Sequence, residues 1–260
     1  MMQRRGVIRI FAAAATGLWA NQHLLANPFL QASSNGSGNG NRKVKLPFEP
    51  ASQDSSSEPL LPLFPLPVVL TPRRNLPLHI YEERYKEMIQ DCLQNRWEFG
   101  MLLLQDGALK NIGCTASITE VVNRYPDGRM DIIVQGQRRF ETLSLNQEKS
   151  YLRGRPQFFE DDETALPPEA LRRQALQLYD RVMELLKQKG ALQESSSLSV
   201  SDPSLSFAIL SDIPASLSLR QSLLELKSEN ERLMRVAGFM QQLIELLESS
   251  PDQKPPEGTA

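Results

Sequence analysis

Apolar positions along this chain change their period twice, and each change marks a different kind of element. Leu60 to Thr71 (LLPLFPLPVVLT) is nearly continuous apolar sequence, but Pro62, Pro65 and Pro67 exclude a long helix. It is expected as an extended ribbon, an irregular or edge strand lying against the core. Ile80 to Leu93 then places Ile80, Arg84 and Met88 on one line with Tyr81, Tyr85, Ile89 and Cys92 beside it, opposite Glu82, Glu83, Lys86 and Glu87. That spacing predicts an amphipathic helix. Phe99 to Leu104 (FGMLLL) is an unbroken apolar run of strand length, which suits a central strand buried on both faces. Ile112 to Tyr125 and Met130 to Val134 flank Pro126-Asp127-Gly128-Arg129, a hairpin turn in which Pro presets φ and Gly takes a positive one. After Gly136, Arg138 to Leu145 and Tyr151 to Phe159 read as two further short strands.

Beyond the acidic run Glu160 to Glu163 the period becomes helical and stays so. Thr164, Pro167 and Pro168 open a helix on which Leu171, Ala175, Leu178, Val182 and Leu185 share one face, and Gly190 stops it. A short helix follows Asp202-Pro203, another spans about Leu219 to Leu226, and a long one carries Leu233, Val236, Met240, Leu243 and Leu247 behind the capping box Ser228-Glu229-Asn230-Glu231. Five or six short strands with one internal helix suggest a small closed or partly open barrel. Four amphipathic helices suggest a bundle packed onto it. The expected class is therefore α+β, with a β-rich domain over 58–163, a helical subdomain over 164–250 and a disordered tail over 251–260.

Composition narrows the functions open to such a fold. The 260 residues are 40% hydrophobic and carry 29 Lys and Arg against 31 Asp and Glu, a net charge of −2, which argues against a general binder of the phosphate backbone and against DNA as a partner. Between Glu58 and Glu163 the count is 13 basic against 16 acidic residues, so Arg138-Arg139 and Arg153-x-Arg155, with Phe158 and Phe159 nearby, read more simply as ordinary surface charge than as a nucleic-acid face. Residues 1–57 differ from the rest: no acid precedes Glu49, Arg4 and Arg5 lead into the short apolar stretch Ile10 to Ala20, and Ser33 to Asn41 and Ala51 to Ser57 are Gly-, Ser- and Asn-rich. They are expected to form a flexible extension, a targeting-like segment followed by a linker, with no stable membrane insertion because eleven apolar residues are too few to span. The protein is expected in the cytoplasm, export being the alternative if residues 1–26 act as a signal segment.

Catalytic chemistry finds little support. The chain has no Gly-Lys step and hence no Walker A loop, and neither Ser-x-x-Lys nor Gly-x-Ser-x-Gly occurs. His23 and His79 are the only histidines, and His79 is expected to be packed or to cap the helix that starts beside it. Cys92 and Cys114 are expected as buried, inert core thiols, and Glu160 to Glu163 as a solvated boundary instead of a metal site. No catalytic residue, metal or cofactor is expected.

Several ordered segments carry a resemblance. Leu61 to Leu70 (LPLFPLPVVL), Leu76 to Tyr85 (LPLHIYEERY), Phe99-Gly100, Ile112 to Thr115 (IGCT) and Asp127 to Phe140 (DGRMDIIVQGQRRF) resemble the N-terminal, substrate-binding domain of Lon proteases, and in particular its short stand-alone members. The resemblance implies a PUA-like pseudo-barrel followed by a helical subdomain, without the ATPase and peptidase modules. It also implies a non-catalytic module that recognises unfolded or extended polypeptide clients, acts as an ATP-independent adaptor or quality-control factor, and works with a protease or chaperone. An RNA-binding module is the alternative, because PUA-like barrels also bind RNA; it would require the arginines to cluster. An apolar groove at the junction of barrel and helical lobe, lined by the exposed members of Leu63, Phe64, Leu66, Phe158 and Phe159 with the bundle as its opposite wall, is the expected peptide site. Neighbouring residues of a strand face opposite ways, so one of Phe158 and Phe159 should be exposed unless both are covered.

Overall fold

Alternation along the first strand decides where its side chains go, and the rest of the β architecture follows from it. The computed structural model describes residues 60–163, 165–191 and 197–249. In chain order the elements are β1 (Leu61–Leu66), β2 (Asn75–Ile80), α1 (Glu83–Asn95), β3 (Phe99–Gln105), β4 (Ala108–Arg124), β5 (Met130–Asn146), β6 (Arg153–Phe159), α2 (Glu169–Gln188), α3 (Leu205–Asp212), α4 (Leu217–Glu225) and α5 (Glu229–Ser249). The α+β class is borne out. The expectations for residues 1–57 and 251–260 lie outside the described residues.

The chain divides into two compact units. One holds the six strands, α1 and residues 215–227; the other holds the described residues of 165–214 and 228–249. In the first unit the strand order is β2-β5-β4-β3-β1-β6, and β6 pairs back onto β5, so five strands close into a ring with β2 attached outside. Leu61 and Leu63 point into that ring and pack with Leu102, Leu109, Phe140 and Leu145. Phe64, one residue on, faces the other way: its ring lies 4.2 Å from that of Tyr85 on α1 and 6.1 Å from that of Phe99. Tyr85, Met88, Ile89 and Cys92 form the buried stripe of α1, the face its periodicity predicted. The helix ends at Arg96, whose φ of 56° lets its amide donate to the Cys92 carbonyl.

Three elements depart from the sequence reading. The proline ribbon is not an edge: β1 lies between β3, with which it runs parallel, and a two-residue pairing to β6. Asn75–Ile80 is an antiparallel strand beside β5, although its Pro77 and its place just before a helix hid it. The two strands expected on either side of Gly136 are one, because the glycine interrupts nothing. It sits where β5 meets the 71–74 segment, accepting from the Arg73 amide at 2.7 Å and donating to the Arg74 carbonyl at 2.9 Å. A Cβ there would lie 2.2 Å from the Thr71 carbonyl oxygen. Gly128, by contrast, takes a φ of 82° and is the turn glycine the hairpin required.

The helical unit is assembled from α2, α3 and α5, and α4 lies with the strands instead of with the other helices. In the helical unit a buried polar cluster joins α3 to α5. The Glu229 carboxylate accepts from the Ser206 amide at 2.8 Å and the Ser206 hydroxyl at 2.6 Å, and from Arg232, whose guanidinium lies 4.5 Å from the Phe207 ring centre. Glu229 thereby satisfies an orphan amide in the first turn of α3, which lacks a side-chain cap of its own. Burial pushes the Glu229 carboxyl up, against the pull of these bonds. On α5 the Ser228 hydroxyl accepts from the Glu231 amide at 3.2 Å, half of the expected capping box.

Two measurements test this packing. Gly136→Ala should destabilise by about 1–3 kcal/mol through the carbonyl clash, whereas Gly238→Ala in α5, whose added methyl meets nothing within 4 Å, should be neutral or stabilising; urea unfolding of both variants would contradict the assignment if the order were reversed. Desolvation pushes both buried thiols, Cys92 and Cys114, up to about 12. An aromatic disulfide reagent at mildly alkaline pH should therefore label neither in the native protein and both in denaturant; rapid labelling of either native thiol would show that it is accessible.

Candidate functional site

The structure separates the five sequence-derived candidates. Leu63 and Phe64 are core residues and present no surface to a ligand. Leu66, at the end of β1, and Phe159 are half-buried, and Phe158 is 42% exposed. The two phenylalanines do face opposite ways. Phe158 carries the Arg138 guanidinium 3.9 Å above its ring, with Arg138 also pairing to Glu98 at 3.2 Å. Phe159 lies between the Arg139 guanidinium, 4.8 Å from the ring centre, and Lys227 at 5.3 Å.

The arginines that the RNA reading needed on one face are put to separate uses. Arg139 is buried and donates to the carbonyls of Leu224 and Leu226 and to the Asp161 carboxylate. Arg138 is taken by Glu98, and Arg153 by Asn146 and Glu148, both at 2.8 Å. The acidic run is likewise structural in part: Asp161 is the partner of Arg139, and the Asp162 amide donates to the Lys227 carbonyl at 2.8 Å. His79 neither packs in the core nor caps a helix. It projects from β2, 40% exposed, with Nδ1 2.6 Å from Asp131 Oδ1, while Tyr125 donates to the other carboxylate oxygen at 2.7 Å. Partial burial pushes the Asp131 carboxyl up, but these two bonds more than offset it and hold the group below the usual carboxylate range.

One concavity within the strand unit is not announced by the sequence. It is an open cleft of about 740 Å³ along α1, lined on the helix by Glu83, Arg84, Lys86, Glu87, Gln90, Leu93 and Gln94, by Arg124 and Met130 at the hairpin base, by Asp127 and Gly128 in its turn, and by Ser150. Its walls are fixed by polar contacts to the helix. Lys86 Nζ reaches the Asp127 carbonyl at 2.8 Å and Glu83 at 2.7 Å, fastening the hairpin turn to α1. From the loop after β5, Lys149 and Tyr151 both bond Asp91 at 2.6 Å, and Ser150 donates to Glu87 at 2.5 Å. Lys149 first, then Tyr151, holds the Asp91 carboxyl below its ordinary range. The cleft thus has a helical floor and two anchored rims, with charged groups of both signs beside an apolar surface of about equal extent. Such a lining suits reversible association with an extended chain better than enclosure of a small molecule. Its lining comes from segments some forty and sixty residues apart, bonded across separations of 41 and 63 positions, which is why no local motif signalled it.

Among the described residues no three His, Cys, Asp or Glu side chains are placed to share a metal ion, and no helix is long and apolar enough to cross a membrane.

Comparison with known proteins places this architecture. Residues 60–242 match the family model described as the ATP-dependent protease La (LON) substrate-binding domain. Lon protease 2 of Herpetosiphon aurantiacus is 33% identical over 142 residues, 54% of this chain and 17% of that protein. Lon protease of Escherichia coli (strain K12) is 27% identical over 202 residues, 72% of this chain and 25% of that protein. The chain thus spans about a sixth to a quarter of the length of these curated relatives. Among solved structures, the Lon N-terminal domain protein from Xanthomonas campestris aligns with a TM-score of 0.56 at 25% identity, covering 70% of this chain and 99% of that one. The N-terminal domain of the Mycobacterium avium complex Lon protease aligns at 0.52 with 14% identity over 70% of this chain and 98% of that one, a likeness of fold. With a match that begins at the barrel's first strand and runs well into its last helix, the chain belongs to the LON substrate-binding domain family.

Proposed function

We propose that this protein recognises extended or unfolded polypeptide segments through the cleft along α1, and that it does so as a cytoplasmic, ATP-independent adaptor or quality-control factor that passes its clients to a protease or chaperone. The cleft carries the reading: it is open, anchored on both rims, and lined by groups that can hydrogen-bond a peptide backbone, among them Gln90, Gln94 and Ser150. Membership of a substrate-binding family supports a recognition role. Phe158, accessible and backed by Arg138, offers a second contact for an apolar side chain of the client.

Binding is read by fluorescence anisotropy with a labelled, reduced and carboxymethylated client. Gln90→Trp fills the cleft from an exposed helical position and should weaken binding at least about fivefold, equivalent to about 1 kcal/mol. Phe158→Ser should weaken it less. Both variants should melt within about 2–4 °C of the parent, since each change is worth roughly 1 kcal/mol or less in folding. Unchanged affinity in both would remove the cleft and the Phe158 patch from the account. Because the sequence lacks a Gly-Lys step, the purified protein should neither release phosphate from ATP nor cleave casein; ATP-dependent cleavage by a contaminant-free preparation would overturn the non-catalytic reading.

A further inference from the structure

The charges around the cleft do not all neutralise one another, and what is left over has a sign pattern. Lys86 pairs with Glu83 at 2.7 Å, Arg84 with Glu82 at 2.7 Å, and Asp127 with Arg129 at 2.6 Å. Two lining groups are outside these pairs. Arg124 reaches only the Met130 sulfur, at 3.5 Å, and among the described residues no carboxylate lies within ion-pair distance of it. Glu87 accepts from the Ser150 hydroxyl at 2.5 Å and has no cationic partner among the described residues. A thioether is a weak acceptor, and it leaves a guanidinium's fork of donors free for a carboxylate. One hydroxyl likewise leaves acceptor capacity on Glu87.

From this we infer that the segment held in the cleft is of mixed charge, with an acidic side chain paired to Arg124 and a basic one paired to Glu87. The inference rests on the polypeptide-binding reading and adds selectivity to it. The paired charges take little part, since a client ion could engage them only by breaking an existing pair. Arg124 and Glu87 sit on different elements, β4 and α1, so they can address different residues of one extended chain. An apolar segment of the same length would leave both ions without a partner. An all-acidic segment would meet Glu87 unfavourably, and an all-basic one would meet Arg124 unfavourably.

The test uses the full chain and short fluorescein-labelled peptides of equal length on a Gly/Ser/Ala/Leu background, carrying both Glu and Lys, Glu alone, Lys alone, or neither. At low ionic strength the mixed peptide should bind about three- to fivefold more tightly than the uncharged one, in keeping with partly exposed ion pairs. That preference should vanish near about 1 M salt, where the Debye length falls to about 3 Å. Arg124→Gln should remove the advantage conferred by Glu and leave that conferred by Lys; Glu87→Gln should do the opposite. Both positions are exposed, so circular dichroism should show folded variants, and Arg124→Lys, which keeps the charge, should retain part of the preference for Glu. Equal binding of all four peptides would overturn this inference while leaving polypeptide recognition intact. Failure of every peptide to bind would overturn both.

Discussion

A single buried guanidinium determines how the second half of the chain is distributed. Arg139 lies on β5, and its donors are met by the Leu224 carbonyl, 85 positions away, by the Leu226 carbonyl and by Asp161. A buried arginine is tolerable only when its donors are satisfied, and here the acceptors come from the end of α4 and from the residues after β6. The segment carrying α4 is therefore a wall of the strand unit, although the sequence around it is helical on both sides. Gln221 adds a second tie, donating to the Ile112 carbonyl at 3.1 Å. In consequence the helical unit is built from two stretches, before and after residues 215–227, and its own buried cluster of Glu229, Arg232 and Ser206 brings α5 to α3 across that gap.

The barrel solves a related problem with apolar residues. The interior of a small closed barrel is filled by side chains that alternate with outward ones along each strand, so β1 sends Leu61 and Leu63 inward and Phe64 outward to Tyr85. That outward residue anchors α1 against the ring and thereby sets the floor of the cleft. Polar contacts then hold the rims: Lys86 to the hairpin turn on one side, Asp91 and Glu87 to the loop after β5 on the other. The cleft depends on polar contacts at its edges and on a buried aromatic contact beneath.

Much of this was legible in the residues, and what was not has physical causes. Strong period signals gave α1, β3, the hairpin and the helices, because amphipathic faces and turn chemistry are local. β2 escaped because Pro77 argues against a strand, yet a strand paired on one side can tolerate it. Gly136 reads locally as a break between two strands, whereas it marks a close approach of two backbone segments, a long-range fact. Leu63 and Phe64 are candidates only if exposed, as apolar residues in a proline ribbon can be; the fold buries both. Arg138-Arg139 looked like one surface feature, but alternation sends Arg139 inward and Arg138 out over Phe158. The cleft is invisible in the sequence because it exists only where α1, the hairpin and the β5–β6 loop converge.

Hydrogen–deuterium exchange with and without an unfolded client tests most directly whether that convergence is the working surface. The turn at residues 125–129 and the loop at 147–151 border the cleft, and most of their residues are exposed and should exchange quickly in the free protein. Recognition in the cleft predicts that a saturating client slows exchange in both segments together, with little change in α2, α3 and α5. Protection confined to those three helices, or no protection while the client is demonstrably bound, would contradict it.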